Sequence, residues 1–138
     1  MQYWLIKSEP DVYSWHDLVR DGQTFWDGVR NYQARNNLRA MASGDFAVFY
    51  HSTTDKEAVG IVRIVRTAYQ DPTTDNVAWV AVDVSPHAVF QSPVSLDTIK
   101  HTPELSSIAL LKQPRLSVVP LTAEEFAILC RLGGISTP

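Results

Sequence analysis

The chain has 138 residues, 45% hydrophobic and 10% aromatic, which is enough apolar surface for one buried core, and its lone cysteine excludes an internal disulfide. A formal charge of -3 argues against indiscriminate coating of a polyanion, which needs many Lys and Arg contacts to phosphate, so any contact with nucleic acid has to be local and site-like. No run approaches the ~18 apolar residues of a membrane span, and no signal-peptide pattern precedes the first strand-like segment. These features predict a soluble protein, cytoplasmic in a prokaryote and nuclear in a eukaryote, with no membrane partner.

No repeat or linker divides the sequence, which reads as one domain over residues 1–138. Gln2–Lys7 is a strand closed by Glu9-Pro10-Asp11. Ser14 then caps a short helix through about Arg20, with Asp17 in its first turn and Gly22 as its stop. Thr24–Trp26 is briefly extended, and a helix runs from about Asn31 to Met41, ended by Ser43-Gly44. Asp45–His51 is an almost wholly apolar strand, of the kind covered on both faces. Ala58–Ala68 and Val77–Val84 are rich in Val and Ile and read as strands, with Asp71-Pro72 and Asp75-Asn76 making the turn between them.

Past Val84 the pattern weakens into Pro- and Ser-containing connections, with short helices near Ser95–Lys100 and Leu105–Leu111. Leu116–Val119 can close the sheet. Thr122 and Glu125 have capping-box spacing ahead of Phe126, Ile128, Leu129 and Leu132, so the chain ends in a helix stopped by Gly133-Gly134, with Cys130 as a small buried thiol within it. The element pattern predicts an α+β fold, either a small mixed β-barrel or a strongly curved sheet flanked by short helices.

The stretch from Trp26 to Met41 carries the most chemistry. It sets Arg30, Arg35 and Arg39, the amides Asn31, Gln33, Asn36 and Asn37, and the aromatics Trp26 and Tyr32 together, with no carboxylate after Asp27. Arginines suit phosphates, amides can read a base edge, and flat rings can stack on a base.

Tyr3-Trp4-Leu5-Ile6-Lys7-Ser8-Glu9-Pro10, the run Trp26 to Asn36, Gly44-Asp45 followed by Phe49-Tyr50-His51-Ser52, and Arg115-Leu116-Ser117-Val118 occur in the order seen in EVE domains. The sequence resembles that family end to end. The resemblance implies a PUA-like fold, related to YTH and ASCH domains, with a ligand pocket and an association with modified nucleobases in DNA or RNA. By similarity to YTH domains, Trp26 matches an early tryptophan that walls a methyl-base pocket, and Ser8, in Ile-Lys-Ser, matches a residue beside the ligand.

The mechanism this suggests is capture of an extruded base, 5-methyl- or 5-hydroxymethylcytosine in DNA, in an aromatic-walled pocket. Flipping costs a few kcal/mol, and stacking on a ring returns about 1–3 kcal/mol per base. Trp26, before the turn-prone pair Asp27-Gly28, is the leading platform and Trp79 a candidate second wall, while Trp4 and Trp15 are assigned to packing. Asn31 offers both donor and acceptor to a Watson–Crick edge, and Asp27 can accept from an exocyclic amine. Tyr50 and His51, ending the buried strand, are candidates at the mouth for a polar substituent. Arg30, Arg35, Arg39, Lys7 and Asn36 are candidate backbone contacts.

Each reading has a plainer alternative: Trp26 and Trp79 as core, Asp27 as a turn residue bonding its own backbone, His51 as structural, the arginines in ion pairs and Lys7 neutralised by Glu9. A PUA-type RNA-binding module reading RNA shape or a modified RNA base is the second functional reading. An enzyme is the third: His16, His51, His87 and His101 lack metal-ligand spacing, and no phosphate loop or nucleophile motif is present. No catalytic residue, metal or cofactor is therefore assigned, and the absence of an unpartnered heptad makes a monomer the expectation.

Overall fold

The computed structural model describes residues 1–138. Six strands, β1 (Tyr3–Ser8), β2 (Thr24–Trp26), β3 (Phe46–His51), β4 (Glu57–Gln70), β5 (Val80–Ser95) and β6 (Val118–Leu121), form one mixed sheet. Five short helices flank it: α1 (Trp15–Asp21), α2 (Tyr32–Ala40), α3 (Leu96–Lys100), α4 (Ala109–Lys112) and α5 (Ala123–Leu132), with a 3-10 turn at Pro103–Leu105. The strand order is β2-β5-β4-β3-β1-β6. The sheet is open, with β2 and β6 at its edges, so the curved sheet and not the closed barrel is the form adopted. Register shifts recur along the β4–β5 ribbon, and such bulges bend and twist the strands that carry them.

The centre of the sheet follows from apolar content. Every residue of β3 is buried, and β1 lies parallel beside it with Trp4, Leu5 and Ile6 buried. A parallel pair needs a crossover, and the stretch holding α1, β2 and α2 supplies it. That crossover carries most of the chemistry noted in the sequence. Asp45, itself buried, anchors the start of the second parallel strand by accepting from Trp4 Nε1 at 3.2 Å, Gln2 N–H at 3.2 Å and Ala42 N–H at 2.9 Å.

The Thr122–Glu125 capping box forms as the sequence predicts, the predicted cap Ser14 forms a second box with Asp17, and Gly22 ends α1 in the left-handed region at φ +74°. Four expectations need correction. The last long strand does not stop at Val84 but runs to Ser95. Strand β2 pairs only with Val82–Val84, so beyond that point β5 pairs with β4 alone, and Pro86 and Pro93, which lack an N–H, are tolerated. Val77 and Trp79 precede the strand instead of belonging to it. Asn76 Oδ1 accepts from Ala78 N–H at 3.0 Å and Asp71 Oδ1 from Thr73 N–H at 2.7 Å, which spreads the turn over Asp71–Trp79. The helix expected over Leu105–Leu111 divides into the 3-10 turn and α4, each only three or four residues long. The closing strand sits two residues later than predicted, because Pro120 is acceptable on an edge strand and Tyr3 pairs with Leu121.

Candidate nucleic-acid interface

The ends of β1 and β2 meet at a cleft of about 350 Å³. Lys7, Ser8 and Glu9 come from the end of the first strand, Val12 and Tyr13 from the turn after it, and Thr24, Phe25, Trp26 and Asp27 from the second. That volume is at the low end of small-molecule pockets, which suits one base or nucleoside.

Trp26 is both wall and core. Only 9% of it is exposed, and its ring stands edge-on to the fully buried Phe49 at 5.5 Å and 82°. Trp15 and His51 pack on the same Phe49 ring at 5.6 and 5.7 Å, so the indole is fixed by an aromatic cluster before any ligand arrives. Its neighbour Phe25 points the other way along the strand and is 46% exposed, and with Val12 it gives the cleft an apolar rim.

The polar groups divide into donors already committed and acceptors still available. Ser8 Oγ donates to the Tyr13 carbonyl at 2.5 Å, which leaves the hydroxyl oxygen to accept. Asp27 makes no hydrogen bond within the protein, so its carboxylate is unspent at the rim. Lys7 Nζ donates to the Pro114 carbonyl at 2.8 Å and forms no ion pair, with Glu9 or any other carboxylate. Burial lowers the Lys7 pKa, as it does for an ammonium without a counter-charge.

The other residues singled out from the sequence lie elsewhere. Asn31 caps α2, its Oδ1 accepting from Ala34 N–H at 2.9 Å, and lines a separate depression. Tyr50 is buried, and burial followed by the neighbouring Glu57 carboxylate pushes its phenol up to about 12. His51 is also buried, with Nε2 accepting from Trp15 N–H at 3.1 Å. Trp79 stacks at 5.0 Å and 30° on Tyr32, with the Arg30 guanidinium 5.6 Å from its own ring and Arg35 4.9 Å from Tyr32. This ladder joins the start of α2 to the β4–β5 turn.

Arg30 is engaged within the protein, where Asp71 holds it at 2.9 Å. Arg35 bonds the Ala78 carbonyl at 3.3 Å and the Asn36 side chain at 2.8 Å, and neither it nor the exposed Arg39 has a carboxylate partner. Asn36 is thereby occupied with Arg35.

Asp71 is the residue that sequence reasoning does not reach. Its fully buried Oδ2 accepts from Gly28 N–H at 2.8 Å and from Arg30, and Oδ1 from the Thr73 N–H and hydroxyl. Burial alone would raise its pKa, but the hydrogen bonds from Thr73, Arg30 and Gly28 outweigh it and hold the carboxyl well below the usual range. The bond also fixes Gly28 at φ +75°, and so sets the turn directly after Trp26 and Asp27.

One cluster has ligand atoms close enough for a metal: His51, Asp55 and Glu57, all within 4.8 Å of one another. The donor set does not fit. With Nε2 of His51 accepting from a backbone N–H, the neutral ring carries its proton on Nδ1, which faces Asp55 at 3.6 Å and has no lone pair to offer.

The EVE domain family model matches residues 2–132. Thymocyte nuclear protein 1 of Rattus norvegicus is 38% identical over 164 aligned residues, which cover 94% of this chain and 73% of the rat protein. Among solved structures, protein Atu2648 from Agrobacterium tumefaciens superposes with a TM-score of 0.98 at 42% identity, over 100% of this chain and 97% of that one. Human THYN1, solved in complex with 5-methylcytosine-containing DNA, superposes with a TM-score of 0.91 at 34% identity, over 99% of this chain and 100% of that one.

Proposed function

The chain belongs to the EVE domain family, and from that premise we propose that it is a non-catalytic module that captures one modified base, 5-methyl- or 5-hydroxymethylcytosine in DNA, in the cleft between β1 and β2. The observation that carries the reading is that Ser8, distant in sequence from the adjacent pair Trp26 and Asp27, lines one base-sized cleft with them. The related human protein in complex with 5-methylcytosine-containing DNA supports the choice of ligand.

The cytosine ring stacks on Trp26, whose fixed orientation removes the entropy cost of ordering it on binding. The exocyclic amine donates to Asp27 and Ser8 Oγ, and the Lys7 ammonium donates to the O2 carbonyl oxygen of the base. A C5 methyl meets Val12 and Phe25. Discrimination by that methyl alone is worth about 1–3 kcal/mol, so selectivity is modest unless the amine bonds are also made. The carboxylates of Glu9 and Asp27 make the cleft unsuited to phosphate, which favours a base inside and backbone outside.

Equilibrium binding of single- and double-stranded DNA carrying cytosine, 5-methylcytosine, 5-hydroxymethylcytosine or N6-methyladenine, with matching RNA, tests this. Trp26→Ala removes the stack and should weaken the preferred ligand by about 1–3 kcal/mol. Asp27→Ala, at an exposed side chain with no internal bond, should weaken it by about tenfold without moving the melting temperature. If the parent binds every oligonucleotide alike and neither variant matters, base capture is wrong.

A further inference from the structure

A second depression adjoins the first. Asn31 and Gln33 at the start of α2 face Gln113, Pro114, Arg115 and Leu116 in the loop before β6, across about 290 Å³. The two clefts share a partition, because Lys7 lines the Trp26 cleft and donates to the carbonyl of Pro114, which lines the second. Asn37 Nδ2 donates to the Val118 carbonyl at 2.7 Å and ties α2 to β6, so both walls stand on anchored elements.

Three properties distinguish this second cleft. No carboxylate lines it, whereas Glu9 and Asp27 line the first. Its one cation is uncompensated: Arg115 is exposed and forms no ion pair, and Lys7 at the partition forms none either. Its amides are held together, Gln33 Nε2 donating to Gln113 Oε1 at 2.8 Å, which leaves Gln33 Oε1 and Gln113 Nε2 as a linked acceptor and donor. A base edge presents that kind of complement. A strand with one base drawn against Trp26 has to carry its backbone over the rim of the cleft. Phosphate is repelled on the Glu9 and Asp27 side and attracted at the Lys7–Pro114 partition.

We propose that this second cleft is a subsite for the nucleotide next to the captured base on the same DNA strand, with Lys7 and Arg115 on the intervening phosphate and the Gln33–Gln113 pair on the neighbouring base edge. The inference rests on the base-capture reading and adds a preference for sequence context to it.

The test uses single-stranded DNA oligonucleotides with one central 5-methylcytosine and each of the four bases on either side. Each is measured beside its unmodified counterpart and beside free 5-methyl-2′-deoxycytidine, for the parent, Arg115→Gln and Gln113→Ala. Both substituted residues are exposed, and thermal melting confirms that the variants fold. Arg115→Gln should weaken oligonucleotides by about tenfold, with the loss absent from the free nucleoside. It should also lower the slope of log affinity against log salt by about 0.7. Gln113→Ala should bring a flanking-base preference of about fivefold down to less than about twofold. If either effect is missing in a parent that still prefers the modified base, the subsite is overturned and base capture stands. If the parent has no preference for the modified base in any context, base capture falls and the subsite falls with it.

Discussion

Asp71→Asn should loosen the turn behind the cleft in a way that pH can identify. The substitution keeps the shape and keeps Oδ1, which accepts from Thr73, but it puts an NH2 where Oδ2 accepts from Gly28 N–H and Arg30. Two donors then face a third. A hydrogen bond to a buried charged acceptor contributes about 1.5–3 kcal/mol, and the Gly28 bond is of that kind. The Arg30 bond is discounted, since 40% of that side chain is exposed and solvent screens it. The total loss should be about 2–3 kcal/mol at neutral pH.

The sign of the pH effect follows from linkage. The folded-state pKa of Asp71 is depressed, so its contribution is fully present above the unfolded value of about 3.9 and is lost as pH falls below it. The gap between parent and Asp71→Asn should therefore be constant from about pH 5 to pH 8 and narrow below about pH 4. Urea unfolding followed by tryptophan fluorescence at several pH values measures it. A gap under about 1 kcal/mol, or one that does not shrink in acid, refutes the assignment of Asp71 as the charged anchor of the Gly28 turn.

Two further outcomes concern α5. Gly133→Ala should destabilise by about 1–3 kcal/mol, seen as a lower Tm by scanning fluorimetry, because a Cβ there would stand 2.5 Å from the Phe90 ring. An unchanged Tm would mean that Phe90 can move aside. Cys130 is fully buried, and burial pushes its thiol up to about 11, so at pH 8 a thiol reagent should label it only as fast as the protein unfolds. Rapid labelling of the folded protein would contradict that packing.

Legibility in the sequence tracks the range of the interactions. The Ser14 cap and the Thr122–Glu125 box are local, and a few residues of sequence are enough to read them. The unbroken apolar run of β3 announces a central strand for the same reason. The second half of β5 is hidden because Pro86 and Pro93 look like breakers until its limited pairing is known. Asp71 is hidden more deeply: its pairing with Gly28 spans 43 residues, and Asp-Pro-Thr reads locally as an ordinary turn. Asn31 shows the limit of residue-type reasoning. An asparagine beside arginines suits a base edge, yet one before a helix also suits a cap, and the folded chain spends its Oδ1 on Ala34 N–H. Phe25 and Val12 carry no marker at all, since a single exposed apolar residue is unremarkable without the cleft beside it.

The distribution of charge explains how a chain of net charge -3 can serve a polyanion. Its ion pairs to Arg and Lys involve Arg20, Arg30 and Arg131 alone. Among the other cations, Lys7 lines the Trp26 cleft and Arg115 the second one, Arg35 and Arg39 lie on α2, and Lys56, Arg63, Arg66, Lys100 and Lys112 lie on or beside other elements, while Glu9 and Asp27 stand at the Trp26 cleft itself. For general adhesion to nucleic acid that arrangement is poor, because the unpaired cations are spread over several elements and acids stand among them. For the proposed capture it is apt. Acidic acceptors reward a base amine only after the base has left its stack, and the cations act only on the strand that remains outside. A weak general field then lets the stack on Trp26 and the amine bonds decide which sites are occupied, and specificity comes from the pocket instead of from charge.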